Sequence, residues 1–330
     1  MERNYRTILI IINLIFVFSI IIIPSFVIFT EFSSFNRIDQ SFSYIYSSTT
    51  PPIKKGLNLN ADVGIIEIKY ISQPVDYLVR IDVSIEMAGP NLEGKSYLDI
   101  FNIKWENTTS PVNFTLELIP EMLEDFSNLH KANIYINILL RSDILFDINA
   151  TVIDGNILVA IPMGITVNNV YSSVTSGYIS YDFIHSTIKG NITGIVNNGN
   201  LTLIAYNNHY IKNSKLTFIN KMGYTQIDIY QYEEMGANIT GTVSTKSGII
   251  QVIYNDYSAN VGARFILYNK TTFGNEVENK WVGFNREVLP LLAGQMFTSY
   301  DFPTQNNYNF SLFKPEDEGN FIWDLNSIPS

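Results

Sequence analysis

The chain has 330 residues, 46% of them hydrophobic, with 31 acidic against 21 basic side chains and a formal net charge of −10. That sign repels phosphate backbones, so nucleic acid is not an expected partner. The absence of cysteine excludes disulfide frameworks, thiolate zinc sites and cysteine nucleophiles together.

The N-terminus gives an address. Residues 1–6 form a short basic end with Arg3 and Arg6, and Thr7 to Phe29 then runs without a charge. At about 1.5 Å per residue such a run spans a hydrocarbon core of roughly 30 Å. It is longer than the apolar part of a cleaved signal peptide and has no A-x-A site after it, so an uncleaved anchor over 7–29 is expected. Positive charge lies before the span and no basic excess follows it, which predicts a single-pass membrane protein whose C-terminal bulk is outside the cell. Residues 30–55, rich in Ser and Thr and ending near Pro51 and Pro52, read as an extended linker.

From Gly56 onward, short runs alternate apolar and polar residues, as in YLVRIDVSIEM from Tyr77 and ANIYINILL from Ala132. Period two is the signature of β-strands. An N-terminal β region is predicted over 56–150, interrupted by one short helix near 120–130, where Met122, Leu123, Phe126 and Leu129 share a face.

A regular spacing begins at Gly155. Gly155, Gly177, Gly199, Gly223 and Gly248 stand 22, 22, 24 and 25 residues apart, and apolar residues or alanine recur two, four and six places after most of them. After Gly199 these are Leu201, Leu203 and Ala205; Gly223 fits with a slip, through Ile227 and Ile229. Each unit reads as a strand, a polar turn, a glycine and a second strand, too little to bury a hydrophobic face alone. Stacked units solve that, so the pattern predicts an all-β ectodomain with a β-solenoid or β-helix-like repeat array over 151–268. An antiparallel β-sandwich of hairpins is the alternative. Outlying copies at Gly64 and Gly319 bracket the array as caps or flanking strands, and 269–330 reads as a C-terminal β cap.

The succession VIDGNILVAIP, VTSGYISYDF, NNGNLTLIAY and TKSGIIQVIY, preceded by LNLNADVGIIEIKY, resembles the "putative adhesin" family, bacterial and archaeal surface proteins with serial strand units. The resemblance runs from about Leu57 to Tyr268 and implies an all-β, solenoid-like domain outside the cell. It transfers no catalytic residue.

Asn-x-Ser/Thr triplets mark Asn107, Asn113, Asn149, Asn191, Asn200, Asn238, Asn269 and Asn309, all beyond the span, as candidate N-glycosylation sites. Groups that could converge on catalysis are sparse. His130, His185 and His209 lie in unrelated contexts without zinc spacing. Asp182 and Asp228 each fall five residues after their glycine and could share an outward row, with Asp256 at eight. PEDEG from Pro315 and YEEMG from Tyr232 gather acids but lack the alternating spacing of a calcium loop, so calcium stays a minor candidate and no other cofactor is implied. The expectation is a non-catalytic, adhesin-like or envelope-organising binding module whose partner is an envelope glycan or a cell-surface protein. The alternatives are a sensor or structural ectodomain partnering another membrane protein, and a carbohydrate-active β-helix enzyme.

Overall fold

A computed structural model describes residues 36–71, 75–107, 111–256, 261–269, 280–282, 284–289, 294–299, 302–303, 306–314 and 321–327. The expected anchor over 7–29 lies outside the described residues. Among those described, no helix is long and apolar enough to cross a membrane.

The protein is mostly β. Its strands are β1 (Asn36–Tyr46), β2 (Lys54–Ile71), β3 (Val79–Gly89), β4 (Phe101–Glu106), β5 (Val112–Leu118), β6 (Lys131–Arg141), β7 (Leu145–Ile161), β8 (Thr166–Val167), β9 (Val170–Ile184) and β10 (Thr187–Ile188). They continue with β11 (Ile192–Tyr206), β12 (His209–Tyr210), β13 (Ser214–Gln231), β14 (Ile239–Asp256), β15 (Val261–Asn269), β16 (Lys280–Val282), β17 (Phe284–Leu289), β18 (Gly294–Ser299), β19 (Asn306–Lys314) and β20 (Phe321–Ser327). Among the described residues the one α-helix, α1 (Leu123–Ser127), follows a 3-10 turn at Pro120–Met122, within the stretch expected to be helical. Among the described residues the strands form one mixed sheet of 17 strands and a parallel sheet of three, β8, β10 and β12.

Contacts divide the chain into two units. The first comprises residues up to Gln40 together with Ile85–Ile100 and Ile119–Asn133. Within it Glu86 accepts from Arg37, Lys131 and Asn133, with the Lys131 hydrogen bond foremost in holding its carboxyl below the usual range. Leu129 lies against Gly89, so close that a side-chain carbon added there would meet its Cδ2.

The second unit, Ser41–Ser84, Phe101–Leu118 and Ile134–Ser330, holds the regular array. Strands β2, β7, β9, β11, β13 and β14 pair in that order, every pair parallel, and Gly64, Gly155, Gly177, Gly199, Gly223 and Gly248 are register partners along the ladder. All six glycines have φ between +118° and +147°. A side-chain carbon on Gly155, Gly177, Gly199, Gly223 or Gly248 would fall within 2 Å of the preceding glycine's carbonyl oxygen. Glycine is required for both reasons: L-residues disfavour that φ, and the next backbone occupies the space.

These positions correct four details of the sequence-based picture. The glycine does not separate two strands: β11 runs unbroken through Gly199 and bends there, so the strand-turn-strand unit is one bent strand paired in parallel with its neighbours, not a hairpin of an antiparallel sandwich. Gly223 shows no slip. Thr225 stands in the inward place held by Leu201 on one side and Ile250 on the other, and is fully buried. The outlying copies join the ladder directly, β2 beside β7, and β20 beside β14 with Phe321 opposite Ile250; Gly319 itself lies outside the described residues. Within the stretch read as linker, 36–46 is a strand and β2 already begins at Lys54. There Ile38, Phe42, Tyr44 and Tyr46 alternate with more exposed neighbours, a period that the surrounding serines obscured.

Inward rows fill the core, and at two places a large residue fills the space beside a glycine of the neighbouring strand. Tyr181 occupies the space left by Gly194, its hydroxyl donating to the Thr193 carbonyl at 2.9 Å, and Phe310 lies over Gly241. Packing by exchange of volume between strands keeps the interior dense.

Candidate binding faces

Because each array strand bends at its glycine, it offers two outward rows, one before the bend and one after. On the first face, Asn113, Asn58, Asn149, Tyr171, Thr193, Thr217, Thr242 and Ser311 are successive register partners. Asn58 donates to Asn113 at 2.9 Å, and Asn113 donates to Glu106 at 3.2 Å.

At the entry to this face runs a ladder of side-chain amides. Asp147 accepts the Asn169 side chain at 2.9 Å, Asn169 accepts the Asn191 backbone N–H at 3.0 Å, and Asn191 accepts that of Lys215 at 2.9 Å. Two residues earlier in the next strands, Asn213 accepts the N–H of Asn238 at 3.1 Å, and Asn238 that of Asn307 at 2.8 Å. Short carboxamides satisfy backbone donors where the ladder opens into a corner, which is why asparagine recurs there. Asp147 loses solvation by burial, but hydrogen bonds from Lys54, Asn168 and Asn169 outweigh that and hold its carboxyl below the usual range.

The second face lies after the bend. One row runs Asp182, Ile204, Asp228, Ile253 and Asp324; the next runs Ile184, Tyr206, Tyr230 and Asn255. Asp228 is only 7% exposed, and one carboxylate oxygen accepts from Gln226 at 2.7 Å while Oδ1 has no hydrogen-bond partner among the described residues. Desolvation raises its pKa, partly offset by Gln226. Tyr224 donates to Gln251 across the same surface. The His185 ring lies 5.2 Å from that of Tyr206, which lies 6.0 Å from Tyr230 and meets Tyr232 edge-on at 5.4 Å.

The residues singled out from sequence now have places. Asn113, Asn149, Asn191, Asn238 and Asn309 all belong to the first face or its entry, whereas Asn200 follows the bend beside Tyr224. Asn107 follows β4, and the side chain of Asn269 lies outside the described residues. Asp182 and Asp228 do share a row, with Ile204 between them, but Asp256 is buried and does not join it. His185 joins the aromatic group, His209 is exposed in β12, and His130 donates its backbone N–H to Ala88. Of the acidic clusters, Glu233 and Glu234 are exposed and 315–319 lies outside the described residues; among the described residues, no three His, Asp or Glu side chains gather as a metal would require. Sequence reasoning missed the aromatic group, although Tyr206 and Tyr230 both stand seven residues after their glycine.

No family model matches the chain. No curated protein matches it. Among solved structures, it is similar to a crystal structure from Clostridium sporogenes described as a "putative cell adhesion protein", at 12% identity over 87% of this chain and 100% of that one. The TM-score is 0.34, and a likeness of that degree carries no argument here.

Proposed function

We propose that this is a membrane-anchored, externally displayed binding module of adhesin-like or envelope-organising type, its array a β-solenoid and its partner an envelope component. The observation that carries the proposal is the ladder from β2 to β14, whose outward rows continue across six parallel strands. Such stacks offer long, shallow surfaces that suit extended partners better than enclosed small substrates. Support for external display comes from the charge-free run over 7–29 and from five of the eight sequons lying on the first face or its entry.

Protease treatment of intact cells making the full chain tests the address: loss of the region after residue 35, with the N-terminal end protected, is expected. Full protection would overturn external display. A second reading, a carbohydrate-active enzyme, draws on Asp182 and Asp228 standing in one row two strands apart. Shortening of envelope polysaccharide by the purified chain would favour it over a binding module.

A further inference from the structure

We infer that Asn191, Asn200 and Asn238 are the asparagines of this chain that carry N-linked glycans, an inference that rests on the external display proposed above. Eight triplets fit the sequon, and the structure divides them. Asn191, Asn200 and Asn238 are all exposed. Each accepts through Oδ1 a backbone N–H of the next strand, that of Lys215 at 2.9 Å, of Tyr224 at 3.4 Å and of Asn307 at 2.8 Å. A backbone donor fixes which end of a carboxamide faces it, so Nδ2 is the end turned away from the ladder. In all three, Nδ2 makes no hydrogen bond among the described residues.

Nδ2 is the atom that N-glycosylation substitutes. It attacks the anomeric carbon of an oligosaccharide carried on a polyprenyl phosphate or diphosphate. The bond from Nδ2 to that carbon forms, the bond from the carbon to the phosphate oxygen breaks, the carrier leaves with the electron pair, and Nδ2 releases one proton. Oδ1 is untouched, so the hydrogen bond to the next strand survives. The ladder therefore folds equally well with the sugar in place.

The other sequons differ. At Asn113 and Asn149 the same nitrogen is already engaged, donating to Glu106 at 3.2 Å and to Asn58 at 3.5 Å, so a sugar there breaks a contact of the first face. Asn309 is half-buried against the Arg264 guanidinium, and the triplets at Asn107 and Asn269 extend beyond the described residues. The hydroxyl two places on separates the three chosen sites from asparagines that do structural work alone. Asn156, Asn169 and Asn213 accept the backbone N–H groups of Tyr178, Asn191 and Asn238 in the same way, yet are followed at that place by Leu158, Tyr171 and Lys215. Capping the ladder accounts for the asparagine but not for Thr193, Thr202 or Thr240, the hydroxyl residue that glycan transfer reads.

The test is peptide mass spectrometry of the full-length chain, extracted in detergent from the cells that make it naturally and fragmented so that the sugar stays on its asparagine. A glycan mass on Asn191, Asn200 and Asn238 is expected, with Asn113 and Asn149 bare. Thr193→Val, Thr202→Val and Thr240→Val each keep the asparagine and its Oδ1 bond but remove the hydroxyl, so each should lose the sugar from its own asparagine and retain it at the other two. Sugar retained in those variants overturns attachment through the sequon, and sugar on Asn113 or Asn149 as fully as on the three overturns the selection by Nδ2. Bare asparagine at all three, in a chain that protease cuts on intact cells, overturns the inference and leaves external display standing. Bare asparagine in a chain protected from protease removes both.

Discussion

A side-chain carbon added to Gly199 would sit 1.7 Å from the carbonyl oxygen of Gly177. Gly199→Ala therefore meets two obstacles at once, a φ of +138° and a backbone atom that cannot move without its strand. Loss of about 4 kcal/mol or more is expected. Gly94→Ala, with φ +70° but nothing within 4 Å, serves as the comparison and costs only the backbone strain, roughly 1 kcal/mol. Urea unfolding of the two variants separates steric from conformational cost; equal losses would refute the close-approach explanation.

Thr225 makes the opposite prediction. Its hydroxyl is buried without a partner among the described residues, at a position that neighbouring strands fill with Leu201 and Ile250. Thr225→Val keeps the shape and removes the unpaired group, so stability rises by about 1 kcal/mol. A lower urea midpoint than that of the unaltered chain would show that the hydroxyl has a partner in solution.

Asp147 links the amide ladder to pH. Its folded pKa is depressed, so its contribution is present above the ordinary carboxylate value of about 4 and is lost as pH falls through the lower folded value. Asp147→Asn should flatten the fall in melting temperature on acidification below pH ~4 while lowering stability at neutral pH. Parallel curves for the two proteins across that window would remove Asp147 from the account.

Asp228 has the reverse sign. Desolvation raises its folded pKa, so the folded state binds the proton more readily than the unfolded chain and stability falls as pH rises through that window. In Asp228→Asn this decline disappears. Melting curves taken upward from pH ~4 resolve it, and an unchanged decline would assign the effect elsewhere.

Alternation made the strands legible, since Leu201, Leu203 and Ala205 announce an inward face wherever they sit. The spacing of Gly155 to Gly248 likewise announced a common register. Direction was not legible: an alternating segment, a glycine and another alternating segment describe a hairpin and a bent strand equally, and only the positive φ at Gly199 with the close approach of Gly177 distinguishes them. Thr225 hid one unit because a threonine of nearly valine shape breaks a hydropathy pattern without breaking the packing. The aromatic group stayed hidden because Tyr206 and Tyr230 lie one place beyond the inward run, on the side that alternation assigns to solvent.

Partner residues on neighbouring strands from β7 to β14 lie 22 to 25 positions apart in the chain, but those of β2 and β7 lie 91 apart. Closing the longer loop costs about 1 kcal/mol more in chain entropy, a modest equilibrium term. Its larger consequence is temporal: local neighbours are found sooner than remote ones. The β9–β11–β13 segment should therefore acquire amide-exchange protection first during refolding, with β2 docking onto a template already ordered. Pulsed hydrogen exchange would reveal that sequence, and protection arising first at Leu57, Leu59 and Ile66 would reverse it.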